Sequence, residues 1–193
     1  MARPQEFETS EALRSAMHVF WRKGYEAASL AEILAATGLS KSSLYATFGD
    51  KRELFLAAFH AYRQERLQRL EQTLKDDQPV RQSIEAVFCQ VVEHLSDPSH
   101  TYGCMTANEA VELAPHDLDV QRMVAEDFQA VEDAFVQAIA RGQAEGSITS
   151  RQEPRRLARF FVVSLQGFQV MARARTDRTR LDESITMIMA ALD

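Results

Sequence analysis

The sequence predicts an all-α protein of about nine helices, on three observations. Gly (7) and Pro (5) are scarce among 193 residues, which argues against a turn-rich β sandwich. Apolar residues recur at helical spacing along most of the chain, and no stretch alternates for long enough to make a useful strand. Hydrophobic residues make up 46% and charged residues 26%, enough to bury a core beneath a charged surface.

The helices follow in order. Thr9 or Ser10 caps a first helix whose stripe is Leu13, Ala16, Met17, Phe20 and Trp21, and Gly24 ends it. Ser29 with Glu32 forms a capping box for a short second helix that stops at Thr37-Gly38. Ser40 caps a third, Lys41 to about Thr47, with Leu44 inward. Asp50 caps a longer fourth, apolar at Leu54, Phe55, Ala58, Phe59 and Tyr62. The polar run Lys75 to Pro79 is a break, and Pro79 suits the first turn of a helix bearing Val80, Ile84, Val87, Phe88, Val91, Val92 and Leu95. Ser96 to Ser99 breaks the chain again before a short helix from about Gly103 to Leu113, ended by Pro115. One long helix follows, Leu118 to about Ala144, aligning Met123, Val124, Phe128, Val131, Phe135 and Ile139. After a loop at Gly146–Ser150 come two last helices, about Pro154–Arg175 and Leu181–Leu192.

Composition sets several classes aside. No run approaches the ~18 consecutive apolar residues of a membrane span, and the N-terminus lacks an apolar leader. Cys89 and Cys104 make no disulfide framework, so a cytoplasmic protein without a membrane partner is expected. The net charge of −6 hides an asymmetry: residues 1–66 sum to +1 and the remainder to −7. A local basic surface is enough to meet phosphates, because charges are screened beyond ~10 Å. His94, His100, Cys104 and His116 lack the close spacing of metal ligands, so neither metal nor cofactor is expected. There is no Gly-rich phosphate loop, nucleophile elbow or H-E-x-x-H, and nothing favours an enzyme built around Glu109, Glu112 and His116.

Residues 29–48, SLAEILAATGLSKSSLYATF, read as a helix-turn-helix. Gly38 permits the tight turn, and Leu30, Ile33, Leu34, Leu39 and Leu44 supply a small shared core. The outward face of the second of these helices is Lys41, Ser42, Ser43, Tyr45 and Thr47. One lysine and short hydroxyls let a helix enter a major groove about 12 Å wide without collision.

The stretch SSLYATFGDKRELF, Ser42 to Phe55, resembles the DNA-binding domain of the TetR family of transcriptional repressors, with Tyr45, Phe48, Lys51 and Leu54 spaced three apart. Ala16 to Tyr45 is similar to that family's first helices, and helix count and length extend the likeness along the chain. Thr47 departs from the histidine many members carry, exchanging a phosphate contact for a weaker hydroxyl one. The resemblance implies a DNA-binding domain over 1–50 and a helical effector-binding and dimerisation domain over 51–193. Tyr45 suits a phosphate or a thymine methyl, and Lys51 adds charge at a helix N-terminus. Lys41, Ser42 and Ser43 are candidates for base edges or backbone. Ser29 and Thr37 are further phosphate candidates, Ser29 equally a cap alone, and Arg3 sits on a short N-terminal arm.

One reading head touches few bases, so tight specific binding calls for two. The last two helices offer apolar faces for a homodimer contact at Leu157, Phe161, Leu165, Phe168, Ile185 and Ile188, the alternative being that these pack within one subunit. A palindromic double-stranded operator would follow from the two-fold axis. The central helices would enclose an effector near Phe88, Val92, Asn108 and Phe128. Cys104 starts a short helix, where N–H groups favour a thiolate. Its placement resembles that in TetR-like repressors that sense electrophiles, against the reading of a small buried hydrophobe. The expectation is a repressor released from DNA by a small molecule or an electrophile. The alternative is a thiol-sensing or small-molecule-binding helical protein whose DNA binding is secondary or lost.

Overall fold

The computed structural model describes residues 3–93 and 102–193, and the side chains within them from Thr9 onward. Among these residues the chain forms nine α-helices and no strand. They are α1 (Arg3–Lys23), α2 (Leu30–Thr37), α3 (Lys41–Phe48), α4 (Lys51–Leu74) and α5 (Val80–Glu93), then α6 (Met105–Glu112), α7 (Leu118–Glu145), α8 (Pro154–Arg173) and α9 (Arg178–Met189). A 3₁₀ turn, Ala190–Leu192, follows α9.

The local chemistry is that of the sequence. Ser29 and Glu32 close the capping box reciprocally, and Gly38, at φ +68°, ends α2 with its N–H on the Leu34 carbonyl. The Ser40 hydroxyl accepts from the Ser43 N–H to start α3. Asp50 does the same for α4, accepting from the Glu53 N–H at 2.9 Å. Three boundaries differ from expectation. Helix α1 begins at Arg3 rather than after Thr9, so Arg3 belongs to a helix and not to an arm. Helix α8 ends at Arg173, and α9 starts at Arg178 because Asp177 caps it through the Thr179 N–H. The expected break at Ser96–Ser99, together with Leu95, His94 and His100, lies outside the described residues.

The chain divides into two compact units, residues 1–65 with 108–124, and residues 66–107 with 125–193. In the first, α1 buries Ala16, Met17 and Phe20, α2 buries Ile33, α3 buries Leu44, and α4 buries Leu54, Phe55, Ala58 and Phe59. Phe55 is the hub, edge-on to Phe20 at 5.3 Å and tilted against Tyr25 at 5.0 Å. In the second, α5, α7, α8, α9 and the 3₁₀ turn after it bring Ile84, Phe88, Phe135, Ile139, Phe161, Leu165, Leu181 and Leu192 into one core. Phe161 stacks on Phe135 at 5.9 Å, and Phe168 meets Phe88 edge-on at 5.3 Å. That core also holds an ion pair, Arg66 on Asp127, with the two side chains only 12% and 2% exposed.

Candidate nucleic-acid interface

Helix α3 is eight residues long and buries only Leu44. Phe48 is half-buried, and Lys41, Ser42, Ser43, Tyr45, Ala46 and Thr47 all face solvent. Tyr45 is 40% exposed, with the Lys41 ammonium 5.7 Å from its ring centre. The hydroxyls of Ser42 and Ser43 lie 2.9 and 2.8 Å from that of Ser40, which leaves each with further hydrogen-bonding capacity. The helix carries no carboxylate. Such a face is slim, hydroxyl-rich and positive, and can lie in a major groove without like-charge repulsion from phosphate.

The eight residues expected at DNA therefore fall into two groups. Lys41, Ser42, Ser43, Tyr45 and Thr47 share the exposed surface of α3. Ser29, Thr37 and Lys51 lie outside that surface and make bonds within the fold. The Ser29 hydroxyl donates to Glu32 Oε2 at 2.8 Å and accepts from the Glu32 N–H. The Thr37 hydroxyl bonds within its own turn, donating to the Leu34 carbonyl and accepting from the Leu39 N–H, each at 3.4 Å. Lys51 turns inward, donating to the Tyr25 carbonyl at 2.7 Å with its ammonium 4.4 Å from the Tyr25 ring centre. Burial, with Glu26 and Asp50 nearby, raises the Tyr25 phenol above its ordinary value, so it stays neutral beneath Lys51.

The first helix of the motif, α2, is held from outside by a charge. Glu32 accepts from Lys23 as well as from Ser29, and these bonds lower its carboxyl from 4.5 to about 2. Its ionised form therefore favours the fold above pH 4.5, and that contribution is lost as the pH falls toward 2. Between those values Glu32→Gln should show a flatter fall in thermal midpoint than the parent chain, measured by far-UV circular dichroism. Parallel falls would mean that Glu32 is not held charged.

The effector and dimer candidates lie elsewhere. Phe88, Val92, Cys104 and Phe128 belong to the second unit and Asn108 to the first. Phe88 and Val92 are buried in the second core, Asn108 and Phe128 are half-buried, and Cys104 is 1% exposed. The expectation of an accessible thiol at Cys104 is thereby corrected: the chain before α6 is pressed on α8, and a side chain at 103 would meet the Gln169 carbonyl at 3.0 Å. In the same unit Ser83 Oγ, Thr106 Oγ1 and the Gln166 carboxamide are shielded from solvent without a hydrogen-bond partner. Each such group costs about 1–3 kcal/mol unless a guest satisfies it. Nothing in the spacing of Ser83 or Thr106 marked them beforehand, since a lone hydroxyl on an apolar stripe reads as filler.

Of the six dimer candidates, Leu157, Phe161, Leu165, Phe168 and Ile185 are buried inside the chain's own core, and Ile188 packs against it half-covered. The five buried ones are not free to meet a partner, which corrects the expected face there, while Ile188 keeps part of its surface open. Helix α8 instead carries a second apolar stripe on its outer side, Phe160, Val163, Gly167, Val170 and Met171, and α9 adds Met187. Val163 and Met187 are 72% and 74% exposed. Among the described residues no group of His, Cys, Asp or Glu is placed to hold a metal, and no helix is long and apolar enough to cross a membrane.

Known proteins share this arrangement. The family model "Bacterial regulatory proteins, tetR family" matches residues 12–58, and "Tetracyclin repressor-like, C-terminal domain" matches residues 80–188. The chain is 31% identical to the uncharacterized HTH-type transcriptional regulator YezE of Bacillus subtilis (strain 168), over 100% of both chains. It is 30% identical to the HTH-type transcriptional repressor ComR of Escherichia coli (strain K12), over 89% of this chain and 82% of that one. A solved structure of the TetR family transcriptional regulator CifR, a cysteine mutant complexed with 26bp double-strand operator DNA, superposes with a TM-score of 0.84 at 27% identity. That match covers 95% of this chain and 96% of CifR. The two family matches and the full-length likeness to YezE agree with the exposed α3 face: the chain belongs to the TetR family of bacterial regulatory proteins.

Proposed function

We propose that the protein is a repressor that binds a two-fold symmetric operator as a homodimer and releases it when an effector engages the second unit. The observation that carries this reading is α3, a short helix with Leu44 as its only buried side chain and a lysine- and hydroxyl-bearing face left open. Support comes from ComR, described as a repressor, and from CifR, solved on operator DNA. In functional terms residues 1–50 read DNA and residues 51–193 sense and pair. The outer stripe of α8 with Met187 is the pairing surface, since burying it against a symmetric copy removes the apolar area that the monomer leaves in water. We attach no enzymatic step to the chain. DNA from immediately upstream of its own coding sequence should be retarded at physiological salt, and a scrambled duplex should not. Equal retardation of both would leave only non-specific attraction.

The effector contacts are Phe88, Val92 and Phe128, with Ser83, Thr106 and Gln166 as the polar groups a guest would satisfy. Such a ligand is mainly apolar and carries hydrogen-bonding groups, because charge would be desolvated among these residues without a counter-ion. Cys104 responds to electrophiles only when its covering opens, so the folded protein should be alkylated there at least about tenfold more slowly than the denatured chain. Cys104→Ser should bind DNA as the parent does. Release of that variant by an electrophile as complete as the parent's would end the role of Cys104 in sensing.

A further inference from the structure

The first unit contains a closed circuit of polar contacts that joins chain segments far apart in sequence. Glu112, at the end of α6, accepts from the Glu26 N–H at 2.9 Å, across 86 residues. Its carboxylate fills the space above Gly24, where an ideal Cβ would stand 2.1 Å from Oε2. Gly24 has φ +82°, a left-handed backbone that favours glycine, and a side chain there would also have to displace the Glu112 carboxylate. The same turn offers the Tyr25 carbonyl to Lys51 in the first turn of α4. Next to it, Arg52 donates to Asp117 at 3.1 Å and to Asp119 at 2.7 Å, and Asp117 caps α7 through the N–H groups of Asp119 and Val120. Burial opposes the Asp117 charge, but the Val120 N–H and Arg52 outweigh it and lower its carboxyl below the ordinary value.

From the α6 end to the α1–α2 turn, to the start of α4, to the start of α7, the circuit closes through residues 112–117. Lys51, one of its members, stands three residues after the end of α3, so the circuit reaches the turn that joins α3 to α4. We propose that Glu112 is a positioning residue for DNA reading: it clamps the Gly24–Glu26 turn and thereby sets the angle at which α3 is presented. The proposal rests on the DNA-binding reading above. A backbone N–H held by a carboxylate is a charge-assisted bond, roughly twice as strong as a neutral one, and it fixes direction as well as distance.

The test compares Glu112→Ala and Glu112→Gln by fluorescence anisotropy on the chain's own upstream DNA at several salt concentrations, with amide exchange of residues 24–27 and 41–48 recorded alongside. Glu112→Ala should bind at least about tenfold more weakly with an unchanged salt slope, because the head is misaimed and no phosphate contact is lost. Glu112→Gln should stay within about twofold, since its carbonyl oxygen still accepts from the Glu26 N–H. Exchange at 24–27 and in α3 should quicken in the alanine variant and not in the glutamine one. Gly24→Ala, which forces the carboxylate out, should weaken binding in the parent more than in the Glu112→Ala background. Parental affinity in Glu112→Ala, or equal losses in the two variants, overturns the clamp. If the parent binds neither upstream nor scrambled DNA, the DNA reading fails, and the exchange data alone decide whether Glu112 holds the turn.

Discussion

Val163→Glu should convert the protein to a monomer and lower its affinity for upstream DNA by at least about 100-fold. Val163 is 72% exposed on the outer stripe of α8, so the substitution leaves the subunit's own core untouched. Across a two-fold axis it brings two carboxylates together within an apolar contact, where each lacks a counter-ion. The DNA loss follows because the second reading head then no longer binds at the effective concentration that pairing confers, worth 10²–10⁴ in avidity. Val162→Glu is the control, one residue along and 8% exposed. It buries a charge in the second core and should unfold the chain instead of dissociating it. Gly167 lies on the same outer stripe with open space where its side chain would be, an unfavourable helical residue that the monomer does not explain and a close helix pair does. Sedimentation equilibrium separates these outcomes, and a parent chain that sediments as a monomer would remove the pairing surface from the account.

Asp127→Ala should cost about 3–5 kcal/mol of unfolding free energy. Asp127 is 2% exposed and pairs with Arg66, itself 12% exposed, between α7 and α4. Removing the carboxylate breaks the Arg66–Asp127 ion pair in a poorly hydrated place, and losing that pairing at a site only 2% exposed sets the size of the loss. In a chain of this length each kcal/mol moves the thermal midpoint by about 2–4 °C, so a fall of roughly 6–20 °C is expected. Replacing both partners by apolar residues of similar volume, Arg66→Met with Asp127→Leu, should recover most of it. Denaturant unfolding measures both variants, and a loss under about 1 kcal/mol for Asp127→Ala would mean that the pair is hydrated after all.

Much of the reading head was legible because its determinants are local. Ser29, Glu32, Gly38, Ser40 and Asp50 act within three or four residues of where they stand, and each does in three dimensions what its spacing implied. The open face of α3 was legible for the same reason, since one buried leucine in eight residues leaves little doubt about the rest. The bond that Lys51 makes within the fold was not, because its partner is a carbonyl 26 residues away. Glu112 escaped likewise, its hydrogen bond spanning 86 residues. Helix α8 failed differently. It is apolar on two sides, at Leu157, Phe161, Leu165 and Phe168 and again at Phe160, Val163, Val170 and Met171. Periodicity finds both stripes but cannot say which one the chain's own core takes, so the sequence leaves packing within one subunit and pairing with a copy as alternatives for the inner stripe. Cys104 shows a related limit: a helix N-terminus is visible in sequence, whereas the burial that leaves Cys104 only 1% exposed is not.

The reading of DNA by α3 is tested most directly by the ratio of affinities for the upstream fragment and for a scrambled duplex of the same length. Lys41→Ala with Tyr45→Ala removes two side chains that face solvent and leaves Leu44 and both caps in place. The account predicts that the ratio falls toward one while the thermal midpoint of the double variant stays at the parent's. A variant that keeps the parent's ratio would show that the specificity of this protein comes from some other surface.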